Sequence, residues 1–123
     1  MINEKVYQNI YDELEGYLPK GWDKLIVYLE YGNDSYSFSF YVKIAGKYVK
    51  CYDLQEISDE VLAESFSKID KVVLEERKKK KESWSNMTMT VSCEGEMHTE
   101  FDYTDLSEGT YQYKKNWKKK YLI

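Results

Sequence analysis

Glu96, His98, Glu100 and Asp102 recur at every second position of one short run, the densest gathering of chemistry-bearing groups in the chain. On an extended strand that spacing puts all four side chains on one face. Such a row suggests three chemistries. Carboxylates with a histidine can ligate a cation, but zinc usually takes more His or Cys, and neither an H-E-x-x-H helix nor an EF-hand loop is present. Glu100 and Asp102 are a candidate general acid–base pair, although charged alternation on a solvated strand is the commoner origin of that spacing. His98 is the only histidine, and no nucleophile signature such as G-x-S-x-G accompanies it. There is no glycine-rich phosphate loop. The sequence therefore points to no catalytic residue, no metal ligand set and no cofactor. It leaves an acidic row that either keeps a strand soluble or meets something basic.

The row belongs to a hairpin, Trp84 to Asp105 (WSNMTMTVSCEGEMHTEFDYTD). Met87, Met89, Val91 and Cys93 alternate with Asn86, Thr88, Thr90 and Ser92. After Glu94-Gly95, the residues Met97, Thr99, Phe101 and Tyr103 alternate with the acidic row. A period of two on both sides of an X-Gly pair predicts antiparallel strands with one face buried and one wet. From Glu94 to Glu108 there are six carboxylates (Glu94, Glu96, Glu100, Asp102, Asp105 and Glu108) and no Lys or Arg. Folding alone does not require a wet face to carry one sign of charge.

The elements that position this hairpin follow from periodicity. Val6, Ile10, Leu14 and Tyr17 lie at helical spacing in residues 3–18, and Pro19 with Gly21 stops that helix. Leu25, Val27, Leu29 and Tyr31 alternate with Lys24, Ile26, Tyr28 and Glu30 up to the Gly32-Asn33-Asp34 turn. Tyr36, Phe38, Phe40, Val42 and Ile44 alternate with Ser35, Ser37, Ser39, Tyr41 and Lys43, and Ala45-Gly46 leads into a short strand over residues 47–52. Ser58 is the expected N-cap of a long helix, with Asp59 and Glu60 in its first turn. Leu62, Phe66, Ile69 and Val73 mark its apolar face, and RKKKK (Arg77 to Lys81) its end near Glu82. The expected fold is α+β in two layers: an antiparallel sheet of about five strands with two main helices on one face, in the order α-β-β-β-α-β-β plus a C-terminal segment. The Ser35/Ser37/Ser39, Asn86/Thr88/Thr90/Ser92 and acidic rows are then expected on an exposed opposite face.

Composition sets the class. A chain of 123 residues, 42% hydrophobic and 33% charged, suits one domain over 1–123. A signal peptide is not expected, since no apolar run follows positive charge near residue 1, and no run approaches the roughly 20 apolar residues of a membrane helix. Two cysteines, Cys51 and Cys93, make no disulfide framework and read as buried free thiols. The expected location is cytoplasmic. A net charge of -4 opposes a dedicated nucleic-acid binder, which carries a basic excess.

Four segments resemble one family. LPKGWDKLIVYLEY (Leu18 to Tyr31), WSNMTM (Trp84 to Met89), FDYTD (Phe101 to Asp105) and WKKKYLI (Trp117 to Ile123) are similar, in the same order, to the motifs of YezG-like immunity proteins. The departures are the Tyr-rich segment from Gly32 to Asp53 and the lysines near the C-terminus. The resemblance implies a non-enzymatic immunity protein that neutralises a secreted antibacterial toxin of the LXG or a related polymorphic type. The expected partner is a cognate nuclease domain, and the departures bear on which one. Neither nucleic acid nor membrane is an expected direct partner.

The acidic row acquires a role within that resemblance. Nucleases carry basic clefts for phosphate, and an acidic surface can imitate the phosphate backbone. Glu96, His98, Glu100, Asp102, Asp105 and Glu108 are therefore the expected partner-binding residues. Tyr28, Tyr41 and Tyr52 are either anchors or core. The lysine runs read as helix-terminal and tail charge. The alternative is a small nucleic-acid-associated module in which those lysines work with Trp84, Tyr113 and Trp117 as stacking platforms.

Overall fold

The computed structural model describes residues 4–32, 35–54, 57–81, 83–106 and 110–123. In chain order these form α1 (Glu4–Glu15), β1 (Trp22–Gly32), β2 (Ser35–Ile44), β3 (Lys47–Lys50), a 3-10 turn (Cys51–Asp53), α2 (Asp59–Lys79), β4 (Asn86–Ser92), β5 (Met97–Asp102) and α3 (Tyr111–Tyr121). The fold is α+β, and the five strands form one sheet in the order β3-β2-β1-β4-β5, every pairing antiparallel. The contacts gather into two compact units, Met1–Lys20 with Tyr52–Ser83 and Gly21–Cys51 with Trp84–Ile123.

The first unit holds α1 and α2, which pack together. Val6, Ile10 and Leu14 are buried on α1, and Leu62, Ser65, Phe66, Ile69 and Val73 on α2, the stripes expected from the 3.6-residue period. The Tyr17 hydroxyl reaches across to Ser65 Oγ at 2.5 Å and donates to the Val61 carbonyl at 3.2 Å. Helix α1 stops short of Leu18 because the chain tightens at Gly16: Tyr17 N–H bonds the Leu14 carbonyl and Leu18 N–H that of Glu15, a 3-10 pattern that uses up terminal acceptors. Ser58 caps α2 as expected, its Oγ accepting the Val61 N–H at 3.2 Å. The other end closes without glycine. Lys81 takes φ 53°, the left-handed conformation usual after a helix end.

The second unit holds the sheet and α3. Register aligns Leu25 with Val42 and Val91, Val27 with Phe40 and Met89, and Leu29 with Phe38 and Met87, and all nine side chains are buried. Trp84, Tyr31 and Phe101 extend this row as an aromatic cluster, with Trp84 5.5 Å from Tyr31 and 5.4 Å from Phe101 between ring centres. Strand β3 ends at Lys50 because Cys51–Asp53 winds into the 3-10 turn. Of the cysteines, Cys51 is buried and Cys93 exposed. Cys93 falls one residue past β4, in the hairpin turn, where its N–H bonds the Asp23 carbonyl.

The opposite face corrects the expectation drawn from alternation. It is not wet throughout, because the C-terminal segment is a helix that lies on it. Trp117, projecting from α3, is buried with Ile26, Tyr28 and Tyr41, and Tyr48, Tyr113, Tyr121 and Leu122 pack around them. The Trp117 ring meets Tyr28 edge-on at 5.0 Å and Tyr121 at 5.2 Å. Its indole N–H donates to Thr88 Oγ1 at 2.8 Å. Thr88 and Asn86, expected in water, are 3% and 2% exposed. The physical reason is that small hydroxyl and amide side chains leave room for an aromatic ring while supplying the partner its N–H needs when buried.

This geometry predicts the energetics of α3. Trp117→Ala should destabilise the protein by about 3 to 5 kcal/mol, the usual cost of truncating a buried aromatic. Thr88→Val keeps the shape but strands the indole N–H, and should cost about 1 to 3 kcal/mol. Urea unfolding followed by circular dichroism measures both. Losses within about 0.5 kcal/mol of zero, the range of ordinary surface substitutions, would mean that α3 does not dock on this face.

Candidate functional site

Each expected partner-binding residue has a definite place in the second unit, apart from Glu108, which lies outside the described residues. The hairpin carries them because Ser92 N–H bonds the Glu96 carbonyl and Gly95 turns the chain with φ 92°, a conformation that suits glycine. Glu96 precedes β5, and His98, Glu100 and Asp102 follow at alternate positions, opposite Thr90, Thr88 and Asn86 on β4. Glu94, Glu96, His98 and Asp105 are exposed.

Glu100 and Asp102 are half-buried and have a structural role that the sequence reading missed. Lys120 on α3 donates to Glu100 Oε2 at 3.1 Å, and His98 Nε2 lies 3.3 Å from Glu100 Oε1. The Tyr121 hydroxyl, first among several causes, and the Lys120 ammonium after it hold the Glu100 carboxyl below its ordinary 4.5. Asp102 accepts the Thr104 hydroxyl at 2.6 Å and the Thr104 N–H at 2.8 Å, and its pKa is lowered chiefly by that hydroxyl. Its other oxygen accepts the Tyr113 hydroxyl at 2.8 Å.

Tyr113 Oη also lies 3.0 Å from Asn86 Oδ1. A phenol has one proton, and the carboxylate is the stronger acceptor, so the proton belongs to Asp102. Two acids of the row thus fasten α3 to the sheet. A cleft of about 220 Å³ opens at this junction, lined by Asn86, Thr88, Glu100, Asp102, Trp117 and Tyr121 among others.

The tyrosines on this face are held neutral. Tyr28 has its pKa raised by burial first and then by donating to Glu30 Oε1, 2.7 Å away. Tyr113 is raised by burial and then by Asp102. Tyr28 and Tyr41 are core, and Tyr52 is 49% exposed. The aromatic residues of the nucleic-acid alternative are poorly placed for it: Trp84 and Trp117 are buried, so neither offers a ring face for stacking. Among the described residues no three His, Cys, Asp or Glu gather as a metal site, and no helix is long and apolar enough to cross a membrane.

The comparisons with known proteins agree with one another. The family model described as "Immunity protein YezG-like" matches residues 3–123. Immunity protein YezG of Bacillus spizizenii (strain ATCC 23059 / NRRL B-14472 / W23) is 26% identical over 110 residues, covering 82% of this chain and 68% of that protein.

The shifted groups predict the pH range of the fold. Carboxyls lowered in the folded state stabilise it fully above their unfolded values, 4.5 for Glu100 and 3.8 for Asp102, and that contribution is lost as pH falls through the lower folded values. Raised phenols stabilise fully below the ordinary 10.0 of Tyr28 and Tyr113 and lose that contribution as pH rises beyond it. Stability measured by denaturant titration should therefore fall from about pH 5 toward pH 3, less steeply in Glu100→Gln/Asp102→Asn. An unchanged acid slope in that double variant would contradict the anchoring role.

Proposed function

Because the chain belongs to the YezG-like immunity protein family, we propose that it neutralises one cognate secreted antibacterial toxin, a nuclease domain of a polymorphic toxin, by forming a stoichiometric complex. Binding, not catalysis, carries the function. The observation that supports this reading most directly is the charge of the hairpin: six carboxylates from Glu94 to Glu108 with no Lys or Arg among them, on a sheet with Glu94, Glu96 and Asp105 exposed. A nuclease cleft is basic because it holds phosphates. An acidic strand opposite it steers association and competes for the same positive groups.

The roles within the row divide by geometry. Glu96, His98 and Asp105, with the Glu108 that follows, are assigned to first contact with the toxin. Glu100 and Asp102 present what remains of their charge while holding α3, so they shape the surface as well as charge it. Salt should weaken the encounter, since exposed charges are screened over a Debye length of about 8 Å at physiological ionic strength.

The test takes as its probe any nuclease-toxin domain encoded by a gene adjoining this chain's own. Glu96→Lys leaves the α3 anchors in place and should slow association severalfold at low salt with the melting temperature nearly unchanged. The difference from the unsubstituted chain should shrink as salt rises. Binding kinetics on immobilised toxin would show this. Identical association rates at every salt concentration would remove the hairpin from the interface.

A further inference from the structure

The two edges of the sheet are built differently. Strand β3 is four residues long, Lys47–Lys50, with an exposed lysine at each end, and Lys43 on the neighbouring strand lies over the Tyr48 ring at 5.4 Å. Short length and lysine are the usual protections of an edge against further pairing. Strand β5 has six residues, Met97–Asp102, with no Lys, no Pro and an unbroken register against β4. Among the described residues no strand pairs with its outer side.

Its polar backbone groups can be assigned. Ser92 N–H bonds the Glu96 carbonyl and Ser85 N–H that of Asp102. Alternation along an antiparallel ladder then directs the N–H and C=O of His98 and Glu100 toward β4, and those of Met97, Thr99 and Phe101 outward. This outward row is a template for an added strand.

The side chains say which strand would fit. Every β5 residue on the α3 side of the sheet is His98, Glu100 or Asp102, preceded by Glu96. A second copy of β5 laid in register on this edge would set acid against acid, which opposes pairing. A strand with Lys or Arg at alternate positions would set opposite charges face to face. On the other side Met97, 38% exposed, and the half-buried Thr99 and Phe101 would meet apolar or small residues.

We infer that the outer edge of β5 is where the partner docks, through an extended segment of alternating basic and apolar residues that joins the sheet beside Met97–Asp102. The inference rests on the immunity reading above and adds the mode of recognition. Backbone pairing supplies affinity, and the acidic row supplies register and selectivity.

Proline tests the edge, because it is tolerated where the backbone N–H faces outward and cannot donate to an added strand. Thr99→Pro should fold as the unsubstituted chain does, yet bind the probe toxin domain named above at least about tenfold more weakly, the loss expected from one interfacial hydrogen bond and its neighbours. Hydrogen exchange on the unsubstituted complex supplies a readout independent of that variant's folding: the amides of Met97, Thr99 and Phe101 should slow on adding toxin. If the unsubstituted chain binds toxin while those amides exchange as in the free chain, the edge inference is overturned and the immunity reading stands. If they slow with concentration of the chain alone, a second copy occupies the edge and the inference is equally overturned. If the unsubstituted chain neither binds nor protects against that toxin, the reading beneath it fails.

Discussion

A single hydrogen bond, from the Trp117 indole to the Thr88 hydroxyl at 2.8 Å, organises the acidic end of this molecule. A buried indole needs an acceptor, and Thr88 offers one from the middle of β4, on the face where small polar residues leave room for the ring. Once Trp117 is seated among Ile26, Tyr28 and Tyr41, the rest of α3 is placed in register over the hairpin. Tyr113 then reaches Asp102 and Lys120 reaches Glu100. The helix has no side-chain cap at Thr110 and no acid in its first turn, so its N-terminal end gives it little. Docking supplies what propensity does not.

The same arrangement fixes the shape of the candidate interface. Two carboxylates are oriented by donors from α3 and Thr104, and are less free to swing than surface acids usually are. Exposed acids lie at either end of that ordered pair, Glu94 and Glu96 before it and Asp105 after it. Preorganised charge loses less entropy on binding than flexible charge does. Strand β5 carries no lysine, by contrast with β3, which has one at each end. The net charge of -4 therefore averages over an acidic β5 margin and a β3 margin guarded by lysine.

Much of this was legible in the residues. The order of helices and strands, the Ser58 cap, the buried stripes of α1 and α2 and the first sheet face all followed from periodicity, because each has a single dominant period. The second face did not, and β1 shows why. Leu25-Ile26-Val27-Tyr28-Leu29 fits alternation, yet it is equally a continuous apolar run, which marks a strand buried on both faces, and Ile26 and Tyr28 are 1% and 3% exposed. The covering element also left a signal: Tyr113, Trp117 and Tyr121 are spaced by four, a helical stripe, partly hidden by the lysines between them. Alternation in β4 described a polar face correctly and its solvation wrongly. A row of Thr and Asn is equally the floor beneath a buried aromatic that brings a donor. From composition alone, the dual use of Glu100 and Asp102 was beyond reach, since nothing in an acidic strand says which of its members accept donors 11 and 20 positions downstream.

The central claim, that this member of the YezG-like immunity family acts by capturing one toxin, is tested most directly in cells. The chain would be expressed in a sensitive strain together with any nuclease toxin encoded by an adjoining gene, and separately with unrelated toxins of the same class. The account predicts restored growth with the first toxin only, since specificity requires matched contacts and mismatches against other partners. Growth arrest in the presence of that first toxin, with the chain abundant and folded, would contradict it.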